Sequence, residues 1–266
     1  MLILSLFPGV DLLGMGFELE GFCVVRGPDL IFGGDIRRFT PPAGVFSGVL
    51  GGSPCQDFSK IRRDAPTGYG VEMLSEFARC VTAAAPEWFL LENVPGVPSI
   101  EIPGYKVQRF NARASEFGGK QHRLRTFQFG SCDGAPLVLL RPVTKPIATE
   151  AAALASKHGG RSWAKFCELQ GVPEDFLSDS PFTKAGKYRA VGNGVFVRLA
   201  RAVAIAIATR HVTRERTCIC ECGRPVKPGA TLATAACRKR MQRRRDAAGV
   251  TEPGMVTSGL SQTVLL

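Results

Sequence analysis

VFSGVLGGSPCQ, residues 45–56, and WFLLENV, residues 88–94, are the two stretches on which the fold is read. Each is an apolar run that stops abruptly, the first at a glycine turn and the second at polar residues, as a strand buried on both faces does. Upstream, ILSLF at 3–7 is a similar run, followed by the glycine-bearing turn PGVDLLGMG at 8–16. GFCVV at 21–25 and RTFQFG at 125–130 read as further strands. Between them, VEMLSEFARCVTAAA at 71–85 has helical spacing, with Val71, Leu74, Phe77, Ala78 and Val81 on one face. This alternation predicts an α/β fold, an open parallel sheet with helices on both sides. In such sheets the chemistry gathers at the carboxyl ends of strands. Gly9, Cys55 and Glu92 all stand at such ends.

The second half is less regular. Residues 131–160 carry Pro136, Pro142 and Pro146 with little periodicity, whereas FVRLARAVAIAIATRH at 196–211 reads as a long apolar helix. The 266 residues suffice for one sizeable α/β domain with a small appendage. No apolar run is read as reaching the roughly 18–20 residues of a membrane span. MLILSLFPG lacks a basic leader and a cleavage site, so it reads as a buried strand and not as a signal peptide. These features predict a cytoplasmic, monomeric protein with no membrane partner, its nine cysteines kept reduced. The net charge of +11 is uneven: +9 falls in residues 210–245, −2 beyond them and +4 in residues 1–209. A nearly balanced body with a basic end suits a polyanion, nucleic acid first, with a solubilising tail as the plain alternative.

Four short motifs carry candidate chemistry. Cys55, in Pro54-Cys55-Gln56, sits on a turn where backbone N–H groups would favour the thiolate; a structural cysteine is the alternative. Glu92 and Asn93 end a core strand, where a low dielectric would hold the carboxyl group in its acid form; a cap or an ion-pair partner is the other reading. A thiol that attacks an electron-poor ring carbon and an acid that bonds to a ring nitrogen make a workable pair. In Gln121-His122-Arg123-Leu124-Arg125, strand alternation would put Gln121, Arg123 and Arg125 on one face, suited to phosphate or a polarised base oxygen, or simply a solvated edge. Val191-Gly192-Asn193-Gly194-Val195 enters the last long helix, and its glycines would let a ligand approach closely.

Taken in order, F-x-G, G-G-S-P-C-Q-D-F-S, E-N-V, Q-H-R-L-R and V-G-N-G-V resemble the cytosine-5 DNA methyltransferase family over about residues 1–209. The resemblance implies a Rossmann-like sheet that uses S-adenosylmethionine as methyl donor and double-stranded DNA as partner. It makes Cys55 the nucleophile toward carbon 6 of cytosine and Glu92 the acid at ring N3. Arg123 and Arg125 become the arginines of the active site and phosphates. For the cofactor it implies Phe7, Gly9 and Pro54, with Asp29 at the ribose hydroxyls, Asp35 near the adenine, and Asn193 and Val195 closing the site. LQGVPEDF, residues 169–176, resembles the segment that steadies the DNA-reading region. Lys60, Arg62 and Arg63, in the loop after Cys55, would meet the DNA backbone.

The resulting layout is a catalytic part over residues 1–130 and 161–210, a target-recognition region at 131–160, a basic module at 211–246 and a flexible end at 247–266. Three features depart from the family pattern. Asp11 and Leu12 stand where glycines are usual, Ser53 replaces a proline, and the recognition region is short, which implies a short or relaxed recognition sequence. In the basic module, Cys218, Cys220, Cys222 and Cys237 form a candidate zinc site, with His211 as a substitute for one ligand; four unligated cysteines in a flexible basic tail are the alternative. The following basic run would lie against DNA phosphates. Two alternatives stand beside the DNA enzyme: a transfer-RNA cytosine-5 methyltransferase of the same fold, and a degenerate homologue that only binds DNA. The family and the compact size suit protection against restriction, in a phage or a restriction–modification pair.

Overall fold

In a computed structural model, ILSLF gives β1 (Leu2–Leu6), and the turn after it leads into α1 (Leu12–Glu18). Residues 1–59, 65–142, 148–154, 160–210, 216–217, 220, 222, 225–226 and 234–247 are described. The chain divides into two units, Met1–Val212 and Thr213–Leu266. Unit 1 continues with β2 (Cys23–Arg26), β3 (Gly48–Gly51), α2 (Tyr69–Ala84) and β4 (Trp88–Asn93). Next come β5 (Lys106–Arg113), β6 (Gln121–His122), β7 (Leu124–Ser131) and β8 (Glu150–Ala151). The unit closes with α3 (Trp163–Gln170), α4 (Lys184–Asn193) and α5 (Val197–Ala208).

Six strands form one sheet in the order β2-β1-β3-β4-β7-β5. β2, β1, β3 and β4 run parallel, with Leu4 opposite Val49 and Leu50 opposite Leu90. β7 runs antiparallel to both β4 and β5, so the sheet is mixed and not all-parallel as expected. β5 is an edge strand whose Lys106, Arg109 and Arg113 blunt that edge with charge. Strand alternation divides the core in two. Ile3, Leu50, Leu90 and Phe129 pack with Phe17 of α1 and with Leu199 and Val203 of α5. Leu4, Val49, Phe89 and Leu91 pack with Met73, Phe77 and Val81 of α2. The buried face of α2 is rotated from the expected one: Met73 and Cys80 are buried, whereas Val71 is 52% exposed.

Residues 184–208 are long and apolar enough to cross a membrane, contrary to the sequence reading. They are interrupted between Asn193 and Val197, and about two-thirds of the apolar window is buried in unit 1 as α4 and α5. V-G-N-G-V therefore straddles a helix end and a linker instead of simply preceding a helix. In unit 2, β9 (Arg216–Thr217) pairs antiparallel with β10 (Pro225–Val226), and α6 (Ala235–Ala247) follows. Lys60, Arg62, Arg63, His211, Cys218 and residues 248–266 lie outside the described residues.

Candidate active site

Beyond the carboxyl ends of β1, β3 and β4 lies a cleft with a cavity of about 230 Å³, open to solvent. Cys55, Glu92 and Arg125 all line it, though they come from the loop after β3, the end of β4 and the start of β7. Cys55 is half-buried at the head of a short 3-10 turn, Gln56–Phe58, which places its thiol at the cleft. Glu92 is 7% exposed, and its Oε1 accepts a 2.8 Å charge-assisted bond from Arg125 Nε. Gly52 backs onto the same carboxyl group, so that a Cβ there would stand 3.4 Å from Oε2.

Burial pushes the Glu92 carboxyl upward, against the pull of Arg125 and Arg123, which widens the pH range in which it holds a proton. Burial, and then the charge of Glu92, also push the Cys55 thiol upward, while Arg125 and Arg123 pull it down. The expected thiolate-favouring turn is thus outweighed by desolvation. Chemically, the site holds a thiol, an acid and a guanidinium that bonds to that acid.

Arg123 is placed differently from the reading of the sequence. β6 ends at His122 and β7 begins at Leu124, so Gln121, Arg123 and Arg125 do not share one continuous strand face. Arg123 is 2% exposed and does not line the cleft. Its Nη1 donates to the Ala153 carbonyl at 2.9 Å, and its Nη2 donates to those of Gly192 at 2.9 Å and Gly194 at 2.6 Å. Gln121 Nε2 donates to the Leu169 carbonyl and, at 3.0 Å, to Gln170 Oε1. Gln170 Nε2 in turn donates to the Val191 carbonyl at 2.7 Å. Q-H-R-L-R and the start of LQGVPEDF therefore form one buried polar network. That network fixes the backbone of residues 191–194, the segment that carries Asn193 to the cleft.

The other expected cofactor residues, Phe7, Gly9, Asp29, Asp35, Pro54, Asn193 and Val195, also line this cleft. Asp29 Oδ2 accepts from Gly9 N at 2.8 Å and Oδ1 from Ile31 N at 2.9 Å, which ties the turn after β1 to the segment after β2. Asp35 is held by Arg37, which keeps its carboxyl below the usual range. Two carboxylates beside the apolar side chains of Leu30, Ile31 and Ile36 make a donor set suited to a nucleoside: acceptors for hydroxyl and amino groups, and an apolar wall for a flat ring.

Asp11 explains one departure from the family pattern. Its backbone is left-handed, φ 55 and ψ 46, a conformation glycine adopts freely. Its Oδ1 accepts from Gly14 N and from Ser5 Oγ, both at 2.9 Å, and Oδ2 pairs with Arg26 Nε at 3.1 Å. Gly14 makes room for this carboxylate, since a Cβ there would stand 2.2 Å from Oδ2. Leu12 likewise fills space left by Gly194. Ser53 also gains a role, because its hydroxyl and carbonyl oxygens accept from Asn93 Nδ2 at 2.9 and 3.0 Å and tie the Cys55 loop to β4. Sequence reasoning missed Tyr69 in the cleft lining and the part played by Gln170. The only signal for Gln170 was a glutamine inside a motif already singled out. In unit 2, the sulfur atoms of Cys220, Cys222 and Cys237 lie within 4.8 Å of one another.

Residues 33–157 match the C-5 cytosine-specific DNA methylase family. That match spans just under half of the chain. Among its relatives, the type II methylase M.HgiDII of Herpetosiphon aurantiacus is 26% identical over 201 residues, 60% of this chain and 56% of that one. The type II methyltransferase M.NgoFVII of Neisseria gonorrhoeae is 31% identical over 160 residues, 48% of this chain and 43% of that one. The chain thus spans about half the length of the curated relatives it matches. Two solved structures share its Rossmann-like α/β fold. One is a prophage-encoded E. coli protein assigned as a DNA modification methyltransferase, with a TM-score of 0.58 at 15% identity, covering 78% of this chain and 98% of that one. The other is the Dnmt2 methyltransferase of S. pombe, with a TM-score of 0.57 at 13% identity and the same coverage of both chains.

Proposed function

We propose that this protein transfers a methyl group from S-adenosylmethionine to carbon 5 of cytosine in duplex DNA. The observation that carries the reading is that Cys55 and Glu92, 37 positions apart in the chain, open onto one cleft that also holds the nucleoside-suited carboxylates. Cytosine carbon 5 is a poor nucleophile. Cys55 Sγ, as thiolate, forms a bond to carbon 6, and the electrons of the 5,6 double bond move onto carbon 5. Glu92 holds its proton at ring N3 and offsets the charge that develops in the ring. Arg125 fixes the orientation of Glu92 and lowers the cost of the thiolate. S-adenosylmethionine, when bound, supplies an electrophilic methyl group, with Asp29 facing the ribose hydroxyls and Asp35 the adenine. Carbon 5 then gives up its proton to a base, the sulfur–carbon bond breaks, and Cys55 leaves as thiolate with the ring restored.

A cytosine inside a duplex cannot reach Cys55, so the base must swing out of the stack, at a cost of a few kcal/mol. On this reading the short region 131–160 contacts the target sequence and reads a short site. A DNA substrate fits a cytoplasmic location, in a bacterium or a host cell, and protection of DNA against restriction is a use that fits. The test is bisulfite sequencing of DNA from a host with no cytosine methylation of its own. Expression of the protein is expected to produce 5-methylcytosine at a short site, and Cys55→Ala none. Tritiated methyl transfer to duplex DNA and to transfer RNA, side by side, separates the DNA reading from its RNA alternative. Calorimetry with S-adenosylmethionine separates an enzyme from a degenerate binding module, which would show no heat of binding.

A further inference from the structure

Unit 2 contains a second cluster of reactive groups, far in the chain from the cleft. Cys220 and Cys222 belong to the segment between β9 and β10, and Cys237 sits in the first turn of α6. Cys220 is 1% exposed and Cys237 3%, and among the described residues they form the whole buried cluster of this unit, with only Cys222 and Met241 packed against them. A short hairpin and one helix with so little apolar core among the described residues gain from a staple. The thiol geometry supplies one. Cys222 Sγ and Cys237 Sγ are 3.7 Å apart. A disulfide needs about 2.05 Å. The edge of a tetrahedron with zinc–sulfur bonds of about 2.3 Å is about 3.8 Å. Thr234 completes the arrangement by accepting from Cys237 N at 3.3 Å, which caps the helix where the thiol enters it.

α6 is two-sided. Cys237 and Met241, one turn apart, face the thiol cluster. Ala236, Lys239, Arg240, Arg243 and Arg244 surround a common hollow, and these four basic side chains are exposed. Four cations over two helical turns repel one another in isolation, and the phosphates of a nucleic-acid backbone would offset that repulsion.

We propose that Cys220, Cys222 and Cys237 bind one zinc ion, and that this ion fastens the hairpin to α6 so that the basic face of the helix anchors the protein to the phosphates of duplex DNA. Three thiolates fill three corners of the zinc tetrahedron. The anchor adds affinity without reading bases and stands independently of the methyl-transfer reading, because it uses none of the cleft residues.

The experiment uses the full chain. Elemental mass spectrometry is expected to find about one zinc per chain, retained in Cys23→Ser and reduced at least tenfold in Cys222→Ser and Cys237→Ser. Affinity for a fluorescent duplex, measured against salt, is expected to lose about 2 units of log–log slope in the double variant Arg240→Ala/Arg243→Ala. Binding of S-adenosylmethionine by calorimetry stays unchanged in that variant, which separates failure of the anchor from failure of the cleft. Chelation of zinc from the wild-type chain should weaken duplex binding and zinc add-back should restore it, a readout that does not depend on how the cysteine variants fold. A purified chain that holds no zinc and takes none up from buffered zinc would overturn the metal site. An unchanged salt slope in the arginine variant, or binding by this surface to duplex RNA and not to duplex DNA, would overturn the anchor.

Discussion

On the proposed reading, Cys55 is a nucleophile that its surroundings hold back. Burial and the Glu92 charge raise the thiol pKa, while Arg125 and Arg123 offset part of that rise. The thiolate fraction therefore grows with pH up to a midpoint above that of an ordinary thiol. Glu92, also raised, loses its proton as pH rises, so the methyl-transfer rate climbs and then falls. Alkylation of the Cys55 peptide, followed by mass spectrometry across pH, should show the high midpoint. Glu92→Gln removes a negative charge beside the sulfur and should lower the midpoint; Arg125→Ala should raise it. A rise in Glu92→Gln would contradict the electrostatic assignment. The two arginines of Q-H-R-L-R should also separate by assay. Arg125→Ala is expected to cost about 100-fold or more in kcat, because it releases Glu92 at the cleft and leaves that carboxyl group without its partner. Arg123→Ala strands the buried carbonyl groups of Ala153 and Gly192, while that of Gly194 keeps a 3.3 Å bond from Gln170 Nε2, and should lower unfolding free energy by about 2 kcal/mol or more in urea titration.

At the scale of elements, the turn between β1 and α1 shows how a departure from a family pattern can keep the pattern's geometry. Asp11 takes the left-handed conformation and caps α1 with its own carboxylate. Asp11→Gly keeps the backbone and loses the cap, at a cost of about 1 kcal/mol. Asp11→Ala loses the cap and also strains the backbone, roughly 1–2 kcal/mol more. Thermal melts should therefore rank Asp11→Ala below Asp11→Gly, and the reverse order would mean that the left-handed turn does not matter.

This scale also shows what the sequence made legible. β1, β3 and β4 were readable because strands buried on both faces are continuous apolar runs, and Cys55 and Glu92 were readable because each follows or ends such a run. β5 was hidden, because an edge strand with Lys106, Arg109 and Arg113 has no continuous apolar signature. The antiparallel placement of β7 depends on β5, so the mixed sheet was hidden with it. Arg123 was misplaced because strand alternation was assumed through a residue where the strand breaks. The Gln121–Gln170 bond joins residues 49 positions apart, a proximity that no local pattern encodes. α3 and α4 lie in a stretch that was read as irregular.

At the scale of the whole molecule, the two proposals divide the labour into chemistry in unit 1 and backbone anchorage in unit 2. If residues 131–160 read the target, as proposed, little chain is left for the task, and specificity should be limited. Methylome sequencing of an expressing host is expected to give a short recognition site, and a long, strictly defined one would contradict this economy. The central claim, that Cys55 attacks a cytosine held against Glu92, is tested most directly with duplex DNA carrying 5-fluorocytosine at the target. Fluorine at carbon 5 cannot leave as a proton does, so the sulfur–carbon bond cannot break after methyl transfer. The account predicts a denaturation-resistant protein–DNA adduct that requires S-adenosylmethionine, maps to the Cys55 peptide and is absent in Cys55→Ala. Full methylation of ordinary duplex DNA by Cys55→Ala, or an adduct on any other residue, would contradict it.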